Sequence, residues 1–380
     1  MLASPISIAS QTGCTMSENT QETTAKPIDT FKIVQIILGI LFVIFLTWRL
    51  YTVISAGNYG PDTWLRFTIS GLIIGSVYSV IAIGYTLVYG ILFMINFAHG
   101  EIMMLGAFAG YFVFEALGTV VVDPATGLTF LDSYQILSVV LAFITGMTVA
   151  ALMGYFLEKI AYGPLRGAPR LIPLISAIGA SIFLQNAAQL IFGPKRRTYL
   201  NPSALTRSVG WRIQIGGEEV ILTYTGALTF ILSVLLLIGL YTLVQRTRFG
   251  RAMRAVAEDK QTAALMGINV DHVISTTFVI SGALGGAAGV MWGIHNGIIY
   301  HYVGFIPGLK AFTAAVLGGI GNIPGAMLGG IILGIVESLG PAALGLDFQL
   351  KDVIAFSILV LILIFRPSGI LSEVLTEEKV

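Results

Sequence analysis

The chain has 380 residues, of which 56% are hydrophobic and 11% charged, with Lys+Arg 21 against Asp+Glu 20. Soluble chains carry about 25% charged residues, so a surface this poor in charge excludes a soluble enzyme, a disordered chain and, with a net charge of +1, a nucleic-acid binder. One cysteine, Cys14, excludes a disulfide framework and a Cys-rich metal site, and 44 glycines point to closely packed helices.

The N-terminal stretch through SENTQETTAKPIDT has no apolar period and no basic segment ahead of an apolar run. Residues 1–30 therefore read as a disordered polar tail, not a secretory signal. Residues 31–60 hold a first transmembrane helix, with its apolar core at 33–54. Further spans are expected at 67–92, 102–117, 134–157, 171–193, 222–245, 272–298, 325–340 and 348–365, against the about 20 residues that cross a bilayer. Segments 305–321 and 325–340 are short and interrupted by Pro307, Gly308, the Gly318-Gly319-Ile320-Gly321 run and Pro324. Such breaks at membrane depth are tolerated inside a bundle or along a wet cavity. The expected fold is all-α: a polytopic membrane protein of roughly eight to nine transmembrane helices, some discontinuous, with a short tail at 372–380.

Charge sets the orientation. Residues 158–170 carry Lys159, Arg166 and Arg170, and 246–271 carry Arg246, Arg248, Arg251, Arg254 and Lys260. Two crossings separate these loops, so they share a side. On the other side, 118–133 has no basic residue and 194–221 has Lys195, Arg196, Arg197, Arg207 and Arg212. The bias places 158–170, 246–271 and the N-terminal tail in the cytoplasm. Trp211, Glu218 and Glu219 fit a structured outer loop.

Glycines recur at one-turn spacing: Gly71 and Gly75, Gly106 and Gly110, Gly285 and Gly289, Gly325 and Gly329, Gly330 and Gly334. Each pair shares a helix face, which suits ordinary close packing or sliding surfaces in a moving bundle. The run MINFAHGE, 94–101, sets Asn96, His99 and Glu101 between apolar segments. Ionisable groups at membrane depth are costly and mark function by default. His99 and Glu101 could pair, which would lower their joint cost, and the run is either a polar knot that satisfies a broken helix or part of a transport path.

The stretch 246–271 reads as a short helix followed by apolar Ala263 to Met266 and a stop at Gly267. It is either a solvated interfacial helix or a docking element for a cytoplasmic partner. Residues 305–330 combine a lone Lys310 with Thr313, Gly318 and Gly319 beside a Gly-Pro corner. Half-helix ends of this kind can line a substrate path. The broken entries at 95–110 and 304–319 resemble one another, as an internal repeat would.

The sequence holds no GxxxxGK[ST], HExxH, GxSxG or CxxC. If ATP drives this protein, another chain hydrolyses it. His295 and His301 lie away from any carboxylate cluster, so no metal or cofactor is expected. A carrier would need spaced intramembrane charges, and only Glu101 and Glu337 qualify.

The runs GYTLVYGILFMINFAHGEIMMLGAF (84–108), RLIPLISAIGASIFLQN (170–186), FGRAMRAVAEDKQTAALMGIN (249–269), KAFTAAVLGGIGNIPGAMLGGIILGIVE (310–337) and RPSGIL (366–371) resemble, in order, the permease subunits of branched-chain amino acid ABC importers. The resemblance covers roughly 65–371 and is nearest the first of the two permeases in such systems; urea-importer permeases are similar. It implies a permease domain at 61–371, preceded by an extra helix at 31–60. It also implies a second homologous permease, two cytoplasmic ATPases, a periplasmic amino-acid-binding protein and surrounding membrane lipid as partners, in the inner membrane. Residues 249–267 would be the coupling helix, with Arg251, Arg254, Glu258, Asp259 and Gly267 toward the ATPase. Gln261-Thr262-Ala263 replaces the family's usual acidic start. Asn96, His99, Glu101, Lys310, Thr313, Gly318 and Gly319 would line or support the path.

Overall fold

The computed structural model describes residues 30–57, 59–125, 127–169, 171–206, 208–215, 218–365 and 369–371. The expected tails (save Thr30), Cys14, Arg170, Arg207 and the first half of the RPSGIL run lie outside them. By contacts the chain forms two units, 1–43 and 44–380. The described part of the first is the N-terminal half of helix α1, Thr30–Ser55. All that follows concerns the second.

Helix α2 (Pro61–Leu92) opens with Pro61 and Asp62, which suit a first turn, and ends at Phe93 in the left-handed conformation, φ +54. Phe93 is the one non-glycine with positive φ among the described residues. A bulky residue rarely adopts this conformation, so the chain is forced to turn just before MINFAHGE. Then come α3 (His99–Thr119), the ribbon β1 (Val121–Asp123) and β2 (Leu128–Thr129), the short α4 (Phe130–Ser133) and α5 (Gln135–Leu157). A π-helical turn, Glu158–Tyr162, and a 3-10 turn, Gly163–Leu165, lead to α6 (Leu171–Phe192). Outside the helices, β3 (Arg197–Thr198) precedes the hairpin β4 (Gly210–Ile215) and β5 (Glu218–Thr223), which holds Trp211, Glu218 and Glu219 as a structured loop. Helix α7 (Tyr224–Arg246) is followed by α8 (Arg248–Glu258), α9 (Lys260–Leu265) and α10 (Val270–Asn296). Strand β6 (Ile298–Ile299) pairs with β3, and α11 (Phe305–Gly318), α12 (Ile323–Leu344) and α13 (Lys351–Phe365) complete the described chain.

Eight helices are long and apolar enough to cross a membrane among the described residues. The protein is an all-α polytopic membrane protein. Helices α2 and α10 are mostly buried, while α5, α6 and α7 turn apolar faces outward. Close packing follows the glycines. Helix α2 lies along α12, where a Cβ on Gly75 would stand 2.9 Å from the Gly330 carbonyl oxygen. Helix α10 lies along α5 in the same way, where a Cβ on Gly282 would stand 2.5 Å from the Ala150 carbonyl oxygen. Without a hydrophobic drive between helices in lipid, such backbone approach is what holds them together.

The two halves are built alike. A long helix ends in a left-handed cap, Phe93 or Gly297; a short break follows; a small-residue helix begins; the next helix packs on the long helix of the other half. Gly100 and Gly304 stand at the same offset from these caps, and they touch: a Cβ on Gly100 would lie 2.5 Å from the Gly304 carbonyl oxygen. The two broken entries thus meet, in a register that sets 100 against 304 and not 95 against 304.

Candidate functional site

The central site lies where α3 begins. Asn96, in the break, accepts hydrogen bonds at Oδ1 from the Ala98 amide (3.1 Å) and the Tyr162 hydroxyl (2.7 Å). His99 and Glu101 are fully buried. His99 Nδ1 lies 3.5 Å from Ser281 Oγ, and its ring meets Tyr85 edge-on at 4.9 Å. Gly285 makes room for the ring, because a Cβ there would stand 3.2 Å from His99 Cε1. Glu101 Oε1 accepts from Gln185 Nε2 (2.7 Å) and Ser181 Oγ (3.3 Å) on α6. Its Oε2 is buried without a hydrogen-bond partner.

The pairing open to His99 and Glu101 does not form; their partners lie on different helices. The reason is local. Helix α3 starts at His99, and residues two apart on a helix do not face each other. His99 meets α2 and α10, and Glu101 meets α6.

Lys310 is not lone. Its Nζ lies 2.8 Å from Glu337 Oε1 on α12 and 2.6 Å from Asp352 Oδ1 on α13. Tyr78 of α2 donates to Glu337 Oε2 at 2.9 Å, and Lys351 Nζ stands 3.4 Å from Glu337 Oε1. Four helices are joined by one charge-balanced cluster. The other residues expected around α11 serve its packing. Thr313 donates to the Lys310 carbonyl of its own helix at 2.6 Å. Gly318 lets α12 pass, since a Cβ there would stand 2.7 Å from the Ala326 nitrogen. Gly319 caps α11 with φ +105, a conformation open to glycine. A narrow apolar cleft lined by Tyr85, Tyr89, Ile95, Phe312, Ala315 and Ile320 lies between the end of α2, the first break and the C-terminal half of α11.

The stretch expected as one helix over 249–267 is two. Asp259 is extended (φ −153, ψ 114), and its carboxylate caps α9 by accepting from the Gln261 amide at 2.8 Å. Arg254 donates to the Val244 carbonyl and so ties α8 to the end of α7. Met253 and Val256 are buried. Arg251 and Glu258 lie on the exposed side, and Gly267 turns the chain with φ +85. Partial desolvation and the nearby Arg166 guanidinium hold the Lys260 ammonium below its ordinary range. The residues that project furthest are apolar: Leu265 is 88% exposed and Met266 79%.

Sequence reasoning missed several of these groups. Gln185, Ser181 and Tyr162 gave no signal, because single polar residues on apolar helices reveal no partner. Glu158, whose buried carboxylate meets the Arg166 guanidinium, gave no signal, and Arg166 was legible only as loop charge. Leu265 and Met266 carried a usable signal, an apolar step before a glycine stop in a hydrophilic loop.

A multi-helix bundle with discontinuous helices meeting at its centre, buried charge and a separate charged helical segment between two spans is the architecture of a membrane transport subunit. The family model described as the permease component of branched-chain amino acid transport systems matches residues 67–363. The chain is 45% identical over 314 residues to the high-affinity branched-chain amino acid transport system permease protein BraD of Pseudomonas aeruginosa, covering 82% of this chain and 96% of that one. It is 44% identical over 313 residues to the corresponding protein LivH of Escherichia coli K12, with the same coverage. A more distant likeness, 30% over 223 residues, joins it to the fructose import permease protein FrcC of Rhizobium meliloti, covering 55% of this chain and 57% of that one. No solved structure matches. The chain belongs to the branched-chain amino acid transport permease family and is a transport subunit, not an enzyme.

Proposed function

We propose that this protein is the inner-membrane permease through which an ATP-driven importer passes branched-chain or other neutral amino acids. The observation that carries the reading is the match over nearly the whole length of relatives so described. In this reading a second homologous permease completes the pathway, two cytoplasmic ATPases dock below, and a periplasmic binding protein delivers substrate. The N-terminal tail lies in the cytoplasm, and α1 is an added span ahead of the permease domain at 61–371. The family match supports this division by starting at residue 67, past α1.

Helices α8 and α9 are the coupling segment. ATP closes the ATPase pair, the segment moves with α7 and α10, and the glycine-packed helices slide. The path runs beside the meeting point of the two broken entries, and the closed apolar cleft between Tyr85 and Phe312 opens and wets as the helices slide. Asn96, His99, Glu101 and Lys310 hold that region in shape from behind. A zwitterion needs a wet, weakly polar route and no tight cage, and ATP supplies the drive, so no coupling ion is required.

The test is uptake of labelled leucine in cells lacking only this gene, competed by leucine, alanine, proline and urea. Loss of uptake, restored by the gene and competed by neutral amino acids alone, is the expected outcome. Uptake that persists without the partner ATPases would make the protein a stand-alone carrier.

A further inference from the structure

The cytoplasmic segment and the centre of the bundle are joined by a run of polar contacts that no sequence motif marks. Asp271 lies in the first turn of α10, just beyond α9. The Arg166 guanidinium bridges Asp271 and Glu158. Glu158 is fully buried, and its other oxygen accepts from Ser275 Oγ at 2.7 Å. It opens the π-helical turn Glu158–Tyr162, closed by the Gly163 amide on the Glu158 carbonyl. Tyr162 ends that turn. Its ring packs on Phe278 of α10 at 5.4 Å, and its hydroxyl donates to Asn96 Oδ1 at 2.7 Å. Asn96 in turn holds the Ala98 and His99 amides at the start of α3.

We propose that the π-turn Glu158–Tyr162 is a relay: Arg166 passes movement of the coupling segment from Asp271 to Glu158, and Tyr162 passes it to Asn96 and the broken entry of α3. The inference rests on the reading of α8 and α9 as the coupling segment. Three features favour a relay over static polar packing. The arginine spans a buried carboxylate and one that is 76% exposed, and Lys159 Nζ stands 3.5 Å from Glu158 Oε2, so the arginine can shift its weight toward Asp271 while Glu158 keeps a cation. A π-turn holds one residue more than an α-turn and can take up or release it; such turns recur at functional sites. The turn is also held from the far side, since Ser176 of α6 donates to the Ala161 carbonyl at 2.9 Å, so displacement at Glu158 has a fixed point to act against. Arg166, Glu158 and Tyr162 are positioning residues; none is required to touch substrate.

The experiment uses the complete transporter in proteoliposomes with its binding protein and labelled leucine, reading leucine moved per ATP hydrolysed. Tyr162→Phe keeps the ring and removes one hydrogen bond. Basal ATP hydrolysis should stay within about twofold, the unfolding midpoint should hold, and leucine per ATP should fall at least tenfold. Asp271→Asn should lower the same ratio, and Asp271→Glu should restore it. The double variant Tyr162→Phe/Asp271→Asn should lose no more than the worse single variant, because both break one chain. An unchanged ratio in Tyr162→Phe, losses that multiply in the double variant, or a fall in stability with uptake and hydrolysis dropping in step would overturn the relay. Leu265→Asp serves as the control on the underlying reading. If it leaves the ATPases bound and coupled, the coupling assignment fails and the relay loses its input; if it uncouples while Tyr162→Phe does not, the relay alone fails.

Discussion

Lys310 and Glu337, 27 residues apart in the chain, meet at 2.8 Å with side chains each 4% exposed. Removing one partner of a buried pair leaves the other charge stranded, at about 3–5 kcal/mol. Replacing both with apolar residues of like size is often neutral. Lys310→Met and Glu337→Met should therefore each lower the unfolding midpoint in detergent, and the double variant should recover most of the loss. Asp352 and Lys351 temper the effect because both are partly exposed. Singles that unfold like the parent would show that the cluster is not electrostatically coupled.

Gly100 and Gly304 allow the two broken entries to touch. Gly100→Leu places a Cβ 2.5 Å from the Gly304 carbonyl oxygen and 3.2 Å from the Gly308 Cα, both backbone atoms that cannot swing aside. Folded yield should collapse. Gly179→Leu, at an exposed glycine of α6 with nothing within 4 Å, should be tolerated. Size-exclusion profiles of the two purified variants decide it; equal yields would contradict the packing argument.

Leu265 and Met266 should matter for docking and not for folding. Replacing both by serine removes exposed apolar surface, so the permease should fold as before. Retention of the ATPases on the purified permease should weaken about tenfold or more, equivalent to about 1.4 kcal/mol. Asp259→Ala should weaken it less, by loosening the cap of α9 at a cost of about 1 kcal/mol. Unchanged retention in the serine pair would remove these residues from the interface.

Glu101→Gln keeps an oxygen for Gln185 and Ser181 while removing a buried carboxylate whose second oxygen has no hydrogen-bond partner. Stability should be equal or higher, and leucine uptake lower. Wild-type uptake would assign Glu101 to the scaffold alone.

Much of this was legible in the sequence because lipid simplifies the code. A bilayer demands long apolar helices, and each break in 93–101 and 305–321 was visible as glycine, proline or charge. Gly71, Gly75, Gly330 and Gly334 announced close packing by spacing alone, but not that α2 would meet α12. His99 and Glu101 show the limit most plainly. Read as a broken loop, they could pair; the start of α3 at His99 turned them to different helices.

The sequence by itself determined the class, the long apolar helices, the charged segment between two of them and the family, all properties of local composition and order. Only the tertiary structure decided that Lys310 has Glu337 and Asp352, that Arg254 of α8 bonds back to α7, and that Arg166, Glu158, Tyr162 and Asn96 form one line of contact. Those outcomes depend on which distant helix faces which. A buried polar group is satisfied by whatever partner the packing brings within about 3 Å, and one-dimensional spacing carries no record of that distance.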